Sequence, residues 1–221
     1  MDLYDVMHTT FAARDFIDEP VPDRIIYKIL DNARFAPSGG NRQGWKVVVI
    51  RQASTRDALV SLIRPAFQQY IAQVAAGESP WNTIKATRLS KVEIENSIVA
   101  EDDIRRLTHA PVVLMIFVDL AKVASFDQRL DRVGVISGCS IYPFVWNILM
   151  SARNEGYGGT PTTFIAAEER KLQKLLGVPE QMAFAAMIPM GKPVKQLTRL
   201  RRHPVEDFTM TERWGGEPLT G

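Results

Sequence analysis

The chain has 221 residues and a mass of 24.8 kDa, and its 46% apolar and 24% charged residues are ordinary for one globular domain. The formal net charge of +2 gives no general electrostatic attraction to nucleic acid or to a membrane surface. Cys139 is the only cysteine, which excludes an intrachain disulfide, and no zinc-type ligand spacing exists. The start lacks a signal-peptide pattern and the longest apolar run, residues 110–118, is too short for a bilayer, so we expect a soluble cytoplasmic protein.

The first elements predicted are a helix, a loop and a strand. Apolar residues recur with helical spacing over residues 21–36, and Pro37 is expected to end that helix. After the polar loop "APSGGNRQGW", residues 45–51 have the composition of a buried strand. A plain connection between a helix and a strand needs a glycine and little else, so the extra polar side chains raise the question of a second role.

The next segment is predicted to be helical. Ser54 with Asp57 resembles a helix start, and an amphipathic pattern continues towards Gly77 with an expected kink or break at Pro65. Residues 78–108 are charged and weakly patterned, and we interpret them as helical excursions over the core.

The second half of the chain contains the clearest strand, "APVVLMIFVDL", in which seven apolar residues stand between a proline and an aspartate. Residues 134–155 predict a helix that is apolar almost all round, and therefore central and buried. A Gly-rich strand candidate "GYGGTPTTF", a short helix ending at "LLGVP" and the strand "MAFAAMIPMG" follow. Helices and strands alternate unevenly, which favours a single α+β domain over residues 1–221.

The common catalytic and nucleotide-binding motifs are absent. Neither a GxGxxG after a strand nor a GxxxxGK[ST] loop occurs. The three histidines, His8, His109 and His203, give poor support for a Ser-His-Asp site, and a surface or capping role is favoured for two of them, which adjoin predicted element ends.

Hydrogen-bond donors remain in four places: Arg14, the polar loop, the "GGTPTTF" segment and the basic tail "KQLTRLRRHP". Such separated clusters suit a ligand with one anionic end and one planar, amide-like end. Flavin mononucleotide (FMN) is a ligand of this kind, because its phosphate attracts Arg side chains and backbone N–H groups, and its ring edge matches side-chain amides. Each cluster alone also has a plain structural interpretation, and for the loop this is local turn and capping bonds.

The order of these pieces, with "A-x-x-A-P-S-G-G-N-x-Q-x-W-x-x-x-V" as the specific part, resembles the FMN-dependent nitroreductase family over nearly the whole chain, from Arg14 to Arg202. The resemblance implies a mixed sheet flanked by helices, a homodimer with two FMN sites at its interface, and reduction by NADH or NADPH. Because the net charge gives no attraction to either, we expect no nucleic-acid or membrane partner.

The resemblance also implies roles for individual residues. Arg14 and the late arginines match phosphate contacts, the loop matches positions that touch the flavin, and the threonine segment matches the stretch along the ring near N5. The cofactor-binding residues implied in this way are Arg14, Ser38, Asn41, Gln43, Thr160, Pro161, Thr162, Thr163, Arg201 and Arg202.

Two departures bear on how tightly FMN is held. Thr10 and Phe11 stand where the family motif has further arginines, and the loop has "QGW" where "QPW" is commoner. Losing one charge-assisted hydrogen bond costs about 1.5 to 3 kcal/mol, which weakens FMN binding unless Arg199 or Arg201 compensates.

Two further segments have expected roles. Residues 64–108 are predicted to cover the substrate slot, since the connection is longer than the fold requires. The residues expected to contact substrate are Gly40, Phe67, Tyr70 and Trp81. Residues 193–221 are predicted to form an arm exchanged with the partner subunit, because they carry apolar residues without a periodic face.

The function predicted is an FMN-dependent oxidoreductase that passes hydride from NADH or NADPH to a small flat acceptor such as a nitroaromatic or a quinone. A flavin-binding protein with another task, such as a specialised dehydrogenase, flavin fragmentation or FMN sequestration, is the alternative. A non-enzymatic protein that uses the basic tail on nucleic acid or an acidic partner is the third possibility, and it predicts no flavin and steep salt dependence.

Overall fold

The computed structural model describes residues 1–221 as a four-stranded sheet with helices on both faces. The helices are α1 (Leu3–Thr9), α2 (Asp23–Ala33), α3 (Ala53–Ala75), α4 (Lys91–Glu95), α5 (Glu101–Thr108), α6 (Tyr142–Asn154) and α7 (Glu169–Leu176). The strands are β1 (Trp45–Ile50), β2 (Val112–Asp119), β3 (Gly158–Gly159) and β4 (Met182–Gly191), in the sheet order β1-β2-β4-β3. No helix combines the length and the apolar character that a membrane crossing requires.

The central strands β2 and β4 are buried on both faces, which explains why their sequences are continuous apolar runs. Alternate residues of β2 enter two separate cores. Leu114 and Ile116 pack with α2 and α6 on one face, whereas Met115 and Phe117 pack with α3, α5 and α7 on the other. The predicted α+β architecture is confirmed, with three antiparallel strand pairs and a parallel contact only at the isolated bridge between Ala12 and Gly159.

Strand β1 corrects one prediction, because it is not a buried strand. It lies at the edge of the sheet and pairs only with β2, from Trp45 opposite Val118 to Ile50 opposite Val113. Only Ile50 of its six residues is buried. Trp45 and Val47 pack against one core and Val48 and Ile50 against the other, so the apolar run reflects strand propensity and partial covering of both faces, not full burial.

Helix α3 corrects a second prediction, because it continues through Pro65 without a break and begins after Gln52, not at Ser54. Proline removes the N–H that would bond the carbonyl four residues earlier. Ser61 and Pro65 are both exposed, so water can satisfy the freed carbonyl of Ser61.

Helix α6 corrects a third prediction. The segment expected to be one buried helix over residues 134–155 divides into a 3-10 turn, Ile136–Ser140, and α6 itself. One face of α6 enters the core, but Tyr142 is 50% and Trp146 42% exposed. The helix therefore carries large aromatic side chains on a side that this chain does not cover.

Strand β3 has only two residues, and it holds the N-terminal segment in place. A Cβ at Gly159 would lie 2.8 Å from the Pro189 carbonyl oxygen, so glycine is required for this close approach. On the other side, Ala13 N–H donates to the Gly159 carbonyl at 3.2 Å and Val194 N–H donates to the Asp15 carbonyl at 3.0 Å. These bonds place the residues that follow α1 beside β3 and the end of β4.

Candidate functional site

A cavity of about 670 Å³ opens on the α3 side of the sheet between α3, the end of α5 and residues 160–167. Thirteen residues line it, and seven of them were singled out from the sequence: Arg14, Tyr70, Trp81, Thr160, Pro161, Thr162 and Thr163. The structure thus brings together residues from three distant parts of the chain. The neighbours that the sequence reasoning missed are Ala66, Pro80, Leu107, Phe164, Ala166 and Ala167.

The threonine segment forms one wall of the cavity. The backbone N–H and carbonyl of Thr162 both pair with Met187 at 2.9 Å, so the segment extends the sheet beyond β3 by one bridge. The Thr162 side chain is buried and its hydroxyl has no hydrogen-bond partner. A buried hydroxyl without a partner costs about 1 to 3 kcal/mol, so this atom indicates where a polar ligand atom fits.

Arg14 is the only charged residue in the lining. It lies in the extended segment after α1, and its guanidinium donates to the Ala12 carbonyl at 3.2 Å without forming an ion pair. One exposed cation in an otherwise uncharged cavity suits a ligand with one anionic group. The carboxyl groups whose pKa values are lowered most clearly by hydrogen bonds, such as Glu78 and Asp127, lie outside the lining.

Aromatic side chains form another part of the wall. Tyr70 packs edge-on against Phe164, with ring centroids 5.4 Å apart, and the Trp81 indole N–H donates to the Ala66 carbonyl at 3.2 Å. Phe67 stacks with Tyr70 and packs against the core, and it does not line the cavity. Of the three aromatics predicted to contact substrate, Tyr70 and Trp81 therefore line the cavity and Phe67 does not.

The polar loop is not part of this cavity. The Ser38 hydroxyl accepts from the Gln43 N–H at 2.9 Å, and the Gln43 side-chain amide donates to the Asn41 side chain at 3.0 Å. Gly40 has φ +60°, a left-handed conformation that glycine adopts without strain. Gly39 N–H donates to the Ser140 hydroxyl at 3.1 Å, which attaches the loop to the turn before α6. Within one chain these residues therefore make local turn bonds, which is the plain structural role considered for the loop in the sequence analysis.

The basic tail is also separate from the cavity. Arg202 donates to the Arg201 carbonyl at 2.7 Å, and neither side chain is in the lining. Thr10, which stands where a phosphate-binding arginine was expected, is buried and donates its hydroxyl to the Val6 carbonyl at 2.7 Å. Thr10 therefore ends helix α1 and has no role at the cavity.

An apolar hollow of about 390 Å³ adjoins the cavity and shares Pro161 and Thr163 with it. Its other walls include Tyr142 and Trp146 of α6, the two residues that this chain leaves exposed. The uncovered face of α6 is therefore continuous with the edge of the cavity.

Comparison with known proteins gives one consistent assignment. The Nitroreductase family matches residues 9–192. An NADH dehydrogenase of Thermus thermophilus is 23% identical over 88% of each chain, and a nitrobenzene nitroreductase of Ectopseudomonas oleovorans is 25% identical over 93% of this chain and 94% of that protein. The crystal structure of an oxidized iodotyrosine deiodinase bound to FMN and 3-iodo-L-tyrosine superposes with a TM-score of 0.67 at 19% identity, covering 96% of this chain and all of the other.

Proposed function

The chain belongs to the nitroreductase family, and from this premise we propose that it is an FMN-dependent oxidoreductase that transfers hydride from NADH or NADPH to a small flat acceptor. The observation that carries the proposal is the cavity in which Arg14 and the unpartnered Thr162 hydroxyl both lie. The resemblance implies that Arg14 contacts the FMN phosphate and that the threonine segment lies along the flavin ring. The two residues are far apart in the sequence but line the same cavity.

The residues of the cavity fit FMN. Arg14 is a free donor for the phosphate, and the Thr162 hydroxyl is a buried donor or acceptor for a ring heteroatom. Tyr70 and Trp81 present flat surfaces to the acceptor. When bound, FMN supplies the redox chemistry, taking hydride from the reduced nicotinamide and passing it to the acceptor. No carboxylate, histidine, lysine or cysteine lines the cavity, so the chain's own part is to bind, to orient and to exclude water.

The proposed active form is a homodimer. Ser38, Asn41 and Gln43 lie outside the cavity of their own chain, while Tyr142 and Trp146 expose an apolar face beside it. A second copy seated on this face would bury those aromatics and bring its own polar loop towards the flavin. Phe208, Met210 and Trp214 of the C-terminal segment are exposed as well, which supports an arm that crosses to the partner.

The lining favours a neutral acceptor such as a nitroaromatic or a quinone. A zwitterionic amino acid, such as the 3-iodo-L-tyrosine bound to the deiodinase of similar fold, needs one anionic and one cationic partner when it leaves water. This chain offers Arg14 and no carboxylate in the cavity. A flavoprotein with a different task stays the second candidate, because the same cavity would hold the flavin in either case.

The test measures FMN binding first and turnover second. Protein mixed with FMN and freed of excess should keep a flavin spectrum with one FMN per chain. Arg14→Ala should raise the Kd for FMN about 13- to 160-fold, the range for a hydrogen bond to a charged group. Arg24→Ala, which changes an exposed arginine outside the cavity, is the matched control.

Three outcomes separate the candidate functions. Flavin binding with NADH or NADPH oxidation that depends on a quinone or nitroaromatic supports the proposal. Flavin binding without such turnover supports the second candidate. No retained flavin at micromolar FMN overturns both, and salt-sensitive binding to a polyanion would then favour the interaction protein.

A further inference from the structure

Residues 78–88 form a loop, the Trp81 loop, whose two ends meet at one carboxylate. Glu78 accepts the Arg88 backbone N–H at 2.9 Å and the Thr87 hydroxyl at 2.7 Å. Closed surface loops of this length hold their shape through such internal bonds. The Trp81 loop therefore has a fixed neck, and it places Pro80 and Trp81 in the wall of the cavity.

Gln73, in the last turn of α3, holds this loop to the helix. Its carbonyl accepts the Glu78 N–H at 2.8 Å, and its side-chain oxygen accepts the Trp81 N–H at 3.1 Å. Its side-chain nitrogen donates to the Glu78 carboxylate at 3.3 Å. The ionised carboxylate only accepts, so this third bond fixes the orientation of the amide and keeps its oxygen towards Trp81. Gln73 is 3% exposed, which shields these bonds from water.

Trp81 has a backbone conformation that needs such support. Its φ of +51° lies in the left-handed region, which a bulky residue adopts only when its surroundings impose it. Its indole N–H donates to the Ala66 carbonyl, one of the residues lining the cavity. Gln73 thus fixes the backbone of Trp81, and Ala66 fixes the ring.

We propose that Gln73 is a positioning residue that sets the size of acceptor admitted to the cavity, by holding Trp81 in its left-handed conformation against α3. Gln73 itself does not line the cavity and acts only through Trp81. The effect on acceptor size rests on the proposed function, whereas the effect on Trp81 does not.

The same helix supplies a matched control. Gln68 is also a glutamine of α3, and its side-chain nitrogen donates to the carbonyls of Glu95 at 2.8 Å and Ser97 at 2.9 Å. It fastens a different segment and makes no bond to the Trp81 loop. Gln73→Met and Gln68→Met therefore remove the same kind of side-chain amide from one helix, but only the first releases Trp81.

The first measurement is hydrogen exchange of the Trp81 backbone amide. Gln73→Met should speed this exchange about tenfold or more, because its acceptor is removed, while Gln68→Met leaves it unchanged. The amide of Ala121, which donates to the Asp119 carboxylate outside this loop, serves as an internal reference. Unchanged exchange at Trp81 in Gln73→Met, or an equal increase in Gln68→Met, overturns the proposal. If Gln73→Met is insoluble, Glu78→Ala replaces it, because this substitution removes the carboxylate that orients the Gln73 amide. Exchange of the Trp81 amide must then be faster in Glu78→Ala, and unchanged exchange overturns the proposal equally.

The second measurement compares a one-ring and a two-ring neutral acceptor, benzoquinone and menadione. In Gln73→Met the ratio of their kcat/KM values should shift about threefold or more, while the Kd for FMN stays within about twofold of its original value. A freed Trp81 with an unchanged ratio overturns the selectivity role. If the protein shows no flavin-dependent turnover at all, the proposed function fails, and hydrogen exchange still decides whether Gln73 positions Trp81.

Discussion

Replacing Thr162 by valine should have opposite effects on the free protein and on FMN binding. The Thr162 hydroxyl is buried in the cavity wall without a partner, and its backbone bonds to Met187 do not involve the side chain. Valine keeps the shape and the strand preference of threonine but has a methyl group in place of the hydroxyl. The substitution therefore removes an unsatisfied polar group from the free protein and removes a ligand partner from the complex.

The size of both effects follows from the energetics of one neutral hydrogen bond. An unpaired buried hydroxyl costs about 1 to 3 kcal/mol, so Thr162→Val should stabilise the free protein by about 1 kcal/mol, allowing for partial hydration through the cavity mouth. For a domain of this length that is a rise in Tm of about 2 to 4 °C. Losing a neutral hydrogen bond of about 0.5 to 1.5 kcal/mol to FMN should raise its Kd about 2- to 13-fold.

Two assays and one control variant test these two opposite effects of Thr162→Val. Thermal unfolding without FMN gives the change in stability, and quenching of flavin fluorescence gives the Kd. Thr83→Val is the control, because Thr83 is exposed and lies outside the lining. A lower Tm for Thr162→Val would mean that the hydroxyl has a partner in solution, and an unchanged Kd would mean that FMN does not contact it. Either result refutes the reasoning.

Three other predictions concern the tail, the arm and the acid stability of the fold. Arg202→Ala should weaken FMN binding by about 1.5 to 3 kcal/mol in the dimer and Arg199→Ala should weaken it less, as measured by fluorescence titration; equal small effects would mean a solvated basic face. Deleting residues 205–221 should give monomeric or insoluble protein on light scattering, and a stable dimer would contradict the crossing arm. Asp127 has its pKa lowered from 3.8 to about 2, first by the Val135 N–H and then by Arg132, so its contribution to stability is complete above about pH 4 to 5 and is lost as the pH falls towards 2. Asp127→Asn should lower Tm at neutral pH and flatten its decline over that acid range, and parallel Tm curves would contradict this.

The local sequence pattern correctly predicted the central strands and one helix end. Strands β2 and β4 were predicted because both of their faces are covered, and the short helix before Gly177 was predicted because that glycine takes the left-handed φ of +65° that ends a helix. Predictions from the sequence pattern were wrong where solvent exposure determines the structure. Pro65 does not break α3 because water reaches Ser61, and α6 is apolar on a face that its own chain leaves uncovered.

The candidate site could be predicted in part. Sequence resemblance identified Arg14 and Thr160–Thr163 as parts of one site, and the structure places them in one cavity because Ala13 pairs with Gly159. It could not predict that Phe67 packs into the core or that Gln73 fastens Trp81, because both depend on contacts between segments. The resemblance to the family itself is confirmed.

Because the two cores lie on opposite faces of the sheet, substitutions that change stability can be separated from substitutions that change acceptor preference. Leu114 and Ile116 belong to the core of α2 and α6, whereas the cavity lies on the other face, with Ala66 and Leu107 in its lining. Substitutions more than about 7 to 10 Å apart without shared partners usually have additive effects. Leu114 and Ile116 line neither the cavity nor the hollow beside it, so sequence drift or engineering at these positions can raise or lower thermal stability while acceptor preference evolves independently across the sheet.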